Sequence, residues 1–193
     1  MSESTPFGIH LGMVRFFGLF VLYLVALFAA ELTPPVQRAV VVPWTEGLAD
    51  MCATLITLFD PHVVVFGKVI QSTTRAFALS IEAGCNGVEA AIILIAAMLA
   101  FPAPWMHRVL GIAGGLAAVQ LLNVVRVISL FYLGQWNMGV FEWAHLYAWQ
   151  VLIMLDVLLV WMIWIRTLPR ATCRKPQLPP AMPMAGVPRG AAN

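Results

Sequence analysis

Four stretches of the chain are apolar over nearly the length a helix needs to cross a bilayer, about 20 residues. They run from about 14 to 32, 88 to 101, 109 to 133 and 146 to 165. The second is short. Pro102 and Pro104 end it, and it must borrow Gly87 and its neighbours to reach across. Between the first two stretches, Leu48, Cys52, Leu55 and Phe59 recur at helical spacing opposite Asp50, Thr54 and Thr57. That pattern predicts an amphipathic helix lying on the membrane interface. The Val-, Phe- and Ile-rich segments 62–66 and 77–81 read as short strands leading into Cys85. The predicted fold is therefore an all-α integral membrane protein with about four transmembrane helices and a long structured loop. A fifth crossing through the amphipathic segment is the rival reading; it would put Glu46 and Asp50 in or near the bilayer.

Composition agrees with the pattern. Of 193 residues, 61% are hydrophobic and 10% charged, too few polar groups to cover a water-soluble domain but acceptable where lipid covers the surface. The net charge of +2 is small and scattered, which argues against nucleic acid as a partner. The cations instead report orientation. Arg15, His107, Arg108, Arg166, Arg170, Arg174 and Lys175 flank the ends that four crossings place in the cytoplasm. Both termini then point inward, and 33–87 and 134–145 are extracytoplasmic, with only Arg38, Lys68 and Arg75 on the long first loop. A fifth crossing would break this asymmetry. The domain plan is a cytoplasmic N-terminus (1–13), a membrane domain (14–166) and a disordered cytoplasmic tail (167–193) rich in Pro, Ala and Gly. The first apolar run lacks an AxA-like exit and reads as a retained anchor.

Cys52, Cys85 and Cys173 are the only cysteines and form no CxxC, so neither a zinc site nor a thioredoxin-like pair is suggested, and no metal or organic cofactor is expected. Three residues stand at the outer ends of predicted crossings: Cys85, Arg126 and His145. At 1.5 Å per residue, Arg126 lies about 25 Å above a helix start near Val109, level with the other two. Cys85 sits in Ile81-Glu-Ala-Gly-Cys-Asn-Gly-Val-Glu89. There Gly84 and Gly87 permit a tight turn, and the helix starting at Val88 favours a thiolate through its dipole. A small buried hydrophobe is the plainer fate of such a cysteine. Arg126 is the only Lys or Arg inside a predicted crossing. It would hold a carboxylate or a developing oxyanion, or else pair with Glu89 or Glu142. Asn123, one turn earlier, would line the site or make an interhelical hydrogen bond. His145 can accept the thiol proton and return it to a leaving amine, but its Trp and Tyr neighbours also describe an interfacial belt. His10, His62 and His107 read as loop or interface residues, and Gly111 with Gly115 as a GxxxG packing face.

Cysteine, arginine and histidine, in that order at the outer ends of successive membrane helices, resemble the exosortase and archaeosortase family over roughly residues 14 to 166. The anchors are Ala83-Gly-Cys-Asn-Gly-Val-Glu89, Asn123-Val-Val-Arg126 with Ile128 and Leu130, and His145. The short chain and the CNGVEA wording look most like the exosortase H subgroup. The resemblance implies a cysteine peptidase or transpeptidase at the outer face of the cytoplasmic membrane. It would remove a C-terminal sorting tag, made of a motif, a transmembrane helix and a basic tail, from exported proteins. Either hydrolysis or transfer to a cell-surface acceptor would then follow. Cys85 would be the nucleophile, with Arg126 and His145 completing the site; Glu89 is not carried over. Two other classes remain open: a non-catalytic transport or assembly subunit in the membrane, and a thiol oxidoreductase using Cys52 and Cys85.

Overall fold

The computed structural model describes residues 6–168, with side chains described from residue 12 onward. The tail 169–193, including Cys173, and residues 1–5 lie outside the described residues, as does the side chain of His10. Helix α1 is Pro6–Glu31. A second helical run then joins α2 (Pro34–Val36), a π-helical stretch (Gln37–Val41) and α3 (Val42–Thr57). A three-stranded antiparallel sheet follows, β1 (Val63–Phe66), β2 (Val69–Ser72) and β3 (Ala78–Ser80), in the order β1-β2-β3. Helices α4 (Val88–Ala100) and α5 (Trp105–Trp136) come next. The last run is α6 (Met138–Trp143), a second π-helical stretch (Ala144–Ala148) and α7 (Trp149–Thr167).

Two apolar clusters divide the molecule. In the bundle, α4 packs against α1, α5 and α7, with Ala90, Leu94, Met98, Val119, Ile153, Val157 and Trp164 at its centre. Small residues let these helices approach: a side chain at Gly115 would stand 2.7 Å from Leu94, and one at Gly111 would collide with Trp164. Trp164 uses the space to donate its indole N–H to the His107 carbonyl, at 3.0 Å. The second cluster lies at the other end of α5. There Leu48, Ala49, Cys52, Ala53 and Ile56 of α3 meet Val124, Val127, Leu130 and Phe131 of α5, with Val63, Ile70 and Leu79 of the sheet. Outward faces of α1, α5 and α7 carry Val14, Val21, Leu22, Leu121, Leu155 and Leu159 exposed, a surface that lipid covers without cost.

Four described helical segments are long and apolar enough to cross a membrane: Gly12–Glu31, Pro34–Thr57, Trp105–Trp136 and Met138–Thr167. The count agrees with the sequence, but the set differs. Helix α4, the predicted second crossing, has 13 residues, a reach of about 20 Å that falls short of that length, and it runs through the buried centre of the bundle from the Cys85 end towards the start of α5. Run 34–57 meets the length test yet packs on the half of α5 that carries the sheet. Its first half also faces the bundle, where Val40 and Trp44 line a cavity with Ile92 and Ile95 of α4 and Leu116 of α5.

Three further expectations need correction. The face that α3 buries is Thr45, Leu48, Ala49, Cys52, Ala53 and Ile56; Leu55 and Phe59 point outward. Ala49 and Ala53 share the stripe with Leu48 and Ile56, so small residues turn it away from Leu55 and Phe59. The sheet has a middle strand, β2, that sequence reading passed over; it is short and bears Gln71 and Ser72. The segment 134–145 is not a loop. Only Asn137 breaks the helix, and its side chain caps α6 by accepting from the backbone N–H of Gly139 (2.9 Å) and Val140 (3.2 Å).

Candidate active site

The segment 81–87 leaves β3 and delivers Cys85 to the start of α4. Gly84 (φ +82°) and Gly87 (φ +76°) turn it, in a backbone region that residues with a Cβ enter at a cost. A side chain at Gly87 would in addition meet the amides of Gln120 (2.7 Å) and Asn123 (3.1 Å) on α5. Four further hydrogen bonds hold the turn. The Glu89 carboxylate accepts from the Gly84 N–H at 2.6 Å. Asn86, almost fully buried, accepts from the Val88 N–H (3.1 Å) and donates to the Thr45 hydroxyl (3.2 Å). Trp44 donates to the Asn86 carbonyl at 3.3 Å. Helix α3 therefore clamps the cysteine loop, a role for Thr45, Trp44 and Asn86 that sequence reading did not assign. The available signal was an Asn two residues before a helix, the usual place for a side chain that satisfies free N–H groups.

Arg126 reaches this turn from α5 and is 2% exposed. Its guanidinium donates to the Gly84 carbonyl (Nη1, 2.9 Å) and to the Cys85 sulfur (Nη2, 3.4 Å). The predicted alternative, an ion pair with Glu89 or Glu142, is not formed: among the described residues the one salt bridge joins Lys68 to Glu82. An arginine held this way is a buried cation whose nearest polarisable partner is a thiol.

His145 completes the group from the second π-helical stretch. Its Nδ1 and Nε2 lie 3.7 and 3.9 Å from the Cys85 sulfur, so a small ring rotation presents either nitrogen to the thiol. The ring stacks on Phe141, four residues earlier, at a centroid distance of 5.7 Å and 1° between planes. Phe141 in turn meets Phe77 of the sheet edge at 6.0 Å. The i, i+4 aromatic pair was legible as a helix-face contact, but only within a helix, and this segment reads as loop. His145 accordingly sits more than a turn inside a helical run, not at its start.

The thiol itself departs from expectation. Burial pushes the Cys85 thiol up, Arg126 pulls it back, Glu89 and Glu82 add to the push, and the net direction is upward. The Arg126 cation does not outweigh desolvation of the charged form. A resting thiol beside a base is the arrangement this produces, in place of a preformed thiolate.

The remaining candidates fall elsewhere. Asn123 is fully buried under Gly87, and neither of its amide atoms has a hydrogen-bond partner among the described residues, so it makes no interhelical bond. Cys52 is fully buried in the α3 cluster and, like Cys85, unpaired, which leaves a two-cysteine redox reading without a pair. His62 is exposed in the loop before β1, and His107 ties the start of α5 to the Thr167 carbonyl at 3.1 Å. No cluster of metal ligands occurs among the described residues.

Comparison with known proteins adds one finding. A family model described as transmembrane exosortase matches residues 6–167. No curated protein and no solved structure matches the chain.

Proposed function

The chain belongs to the transmembrane exosortase family, a multi-pass membrane protein connected with protein sorting, and from that premise we propose that it is a cysteine peptidase or transpeptidase acting on exported proteins. Its substrates carry a C-terminal motif, transmembrane helix and basic tail, and it cuts them at the outer face of the cytoplasmic membrane. The observation that carries the reading is the meeting of Cys85, Arg126 and His145, from three separate elements, around one sulfur atom.

Each side chain has a task that its position suits. His145 takes the Cys85 proton as the sulfur attacks the scissile carbonyl, so the raised thiol becomes nucleophilic only as the S–C bond forms. Arg126, already bonded to the sulfur, is placed to receive the oxyanion that develops beside it. The Gly84 carbonyl fixes the guanidinium while this happens. Breakage of the C–N bond returns the proton from His145 to the departing amine and leaves a thioester on Cys85. Water, or the amine of a cell-surface acceptor, then resolves the thioester. A substrate tethered by its own helix shares the membrane plane with this site, which raises its effective concentration.

The test is co-expression of wild type or Cys85→Ala with an exported protein bearing such a C-terminus, followed by intact-mass measurement of the substrate. Loss of the tag with wild type alone is the expected result, and the product mass separates hydrolysis from transfer. Equal processing by the Cys85→Ala protein would overturn the thiol mechanism.

A further inference from the structure

At the end of the bundle away from Cys85, α1, the end of α4 and the start of α5 enclose a slot of about 390 Å³. Arg15 of α1 and Arg108 of α5 both line it. Arg108 precedes Arg126 by 18 residues on one helix, so the two sites stand about 27 Å apart along the axis.

The slot is an unbalanced concentration of positive charge. Neither arginine has a carboxylate within ion-pairing distance among the described residues. Arg108 spends one N–H on the Phe101 carbonyl, at 3.0 Å, while its Nε is buried with no acceptor. Arg108 also lies in the first turn of α5, which holds no acidic residue. A helix N-terminus carries a partial positive charge, so a cation there is on the wrong end of the dipole unless an anion joins it. The positive-inside tendency accounts for arginines at this end of the chain. It does not account for two of them, from different helices, lining one half-open slot.

The rest of the wall says what kind of anion fits. The slot runs along α1 from Gly12 to Tyr23, about 16 Å, and beyond the arginines it is lined by Leu19 and Leu99. A charged head at one end and an apolar shaft at the other match an amphiphile better than a free ion. We propose that this slot binds an anionic phospholipid, with the phosphate between Arg15 and Arg108 and the upper acyl chain against Leu19 and Leu99. The inference stands apart from the peptidase reading, since it uses none of the same residues.

The experiment is native mass spectrometry of the full chain in neutral detergent, offered equal phosphatidylglycerol and phosphatidylcholine. Wild type is expected to retain phosphatidylglycerol in preference by about tenfold or more, as two arginines near a lipid phosphate imply. Arg15→Gln/Arg108→Gln and each single slot variant should lose that preference, and Arg166→Gln, which removes one positive charge at the same end outside the slot and so matches each single variant, should keep it. Because Arg108 also bonds Phe101, Gly12→Trp supplies a second route. A side chain at Gly12 meets nothing within 4 Å, so the indole can fill the slot with both arginines intact, and phosphatidylglycerol retention should fall. The proposal is overturned by equal retention of the two lipids by wild type, or by an unchanged preference in any slot variant. Displacement of the lipid by inorganic phosphate alone would overturn it too, by assigning the slot to a free anion.

Discussion

Helix α1 and the helical run 34–57 adjoin in sequence, and both are long and apolar enough to cross a membrane. They end in different surroundings. The most apolar 18-residue window of α1 packs on α4 with side chains no more than half-buried, whereas 39% of the corresponding window of the other is fully buried, on one stripe that faces α5 and the sheet. An apolar side chain can be covered by lipid or by protein with similar gain, so length and hydropathy do not separate the two cases. What separates them is the polar chemistry nearby. The irregular turn 81–87, the buried guanidinium of Arg126 and the half-buried thiol of Cys85 all sit where α3 and the sheet supply cover. The bundle below, with regular helices, can leave its surface to lipid. Irregular backbone and charge need protein partners; regular apolar helix does not.

The sharpest way to break this contrast is to strike the protein-covered half at its charge. Arg126→Leu should lower substrate processing by about 10²–10³-fold, the scale of losing one oxyanion donor. Arg126→Lys should fall with it, because a point charge cannot bond the Gly84 carbonyl and the sulfur together. Membrane insertion of both should match wild type. Substrate processing within a few-fold of wild type in the lysine variant would detach the fork geometry from the chemistry. Striking the bundle should do the reverse. Gly111→Leu forces a side chain into Trp164 and should cost about 1–3 kcal/mol of stability, read as a lower unfolding temperature in detergent. The specific activity of the protein that remains folded should be unchanged.

Smaller effects sharpen the boundary between the halves. Asn86→Ala removes two buried hydrogen bonds that hold the cysteine turn to α3 and should cost about 1–3 kcal/mol. Its signature is a fall in kcat at a retained KM, since the loop, and not the substrate path, is loosened. A proportional rise in KM would place Asn86 in substrate binding. The last prediction concerns pH. Because the Cys85 thiol is pushed up, its thiolate is scarce at neutral pH, so alkylation by a small iodoacetamide should keep rising above the pH at which an ordinary thiol levels off. Arg126 is the neighbour that pulls it down, so Arg126→Leu should move the profile to still higher pH. A shift to lower pH would mean that the guanidinium does not face the thiol in solution.

Much of this molecule was legible in the chain. The apolar runs located α1, α5 and α7 because lipid selects side chains one helix at a time, without regard to neighbours. Arg126 announced itself by being the lone cation in such a run, and the 1.5 Å rise placed it level with Cys85 and His145. Elsewhere the signal ran out for identifiable reasons. The segment 138–145 carries Gly139 and Glu142 amid aromatics and has no clean period, so its helix was invisible, and with it the stacking of Phe141 on His145. The stripe of α3 was misread because Leu55 and Phe59 outweigh Ala49 and Ala53 in any count of hydrophobicity, while close packing prefers the alanines.

The sequence by itself determined that the chain lives in a membrane, that four helical segments can span it, and that a cysteine, an arginine and a histidine reach one level. Those are properties of composition and helical rise, which act locally. Only the tertiary structure decided that α4 is the bundle's centre, that 34–57 covers the cysteine turn through Trp44 and Thr45, and that Arg126 bonds a sulfur and a carbonyl instead of a carboxylate. It also decided that burial, and not the Arg126 cation, sets the direction of the Cys85 thiol. Each of these is a competition among partners distant in sequence, settled by which surfaces exclude water together.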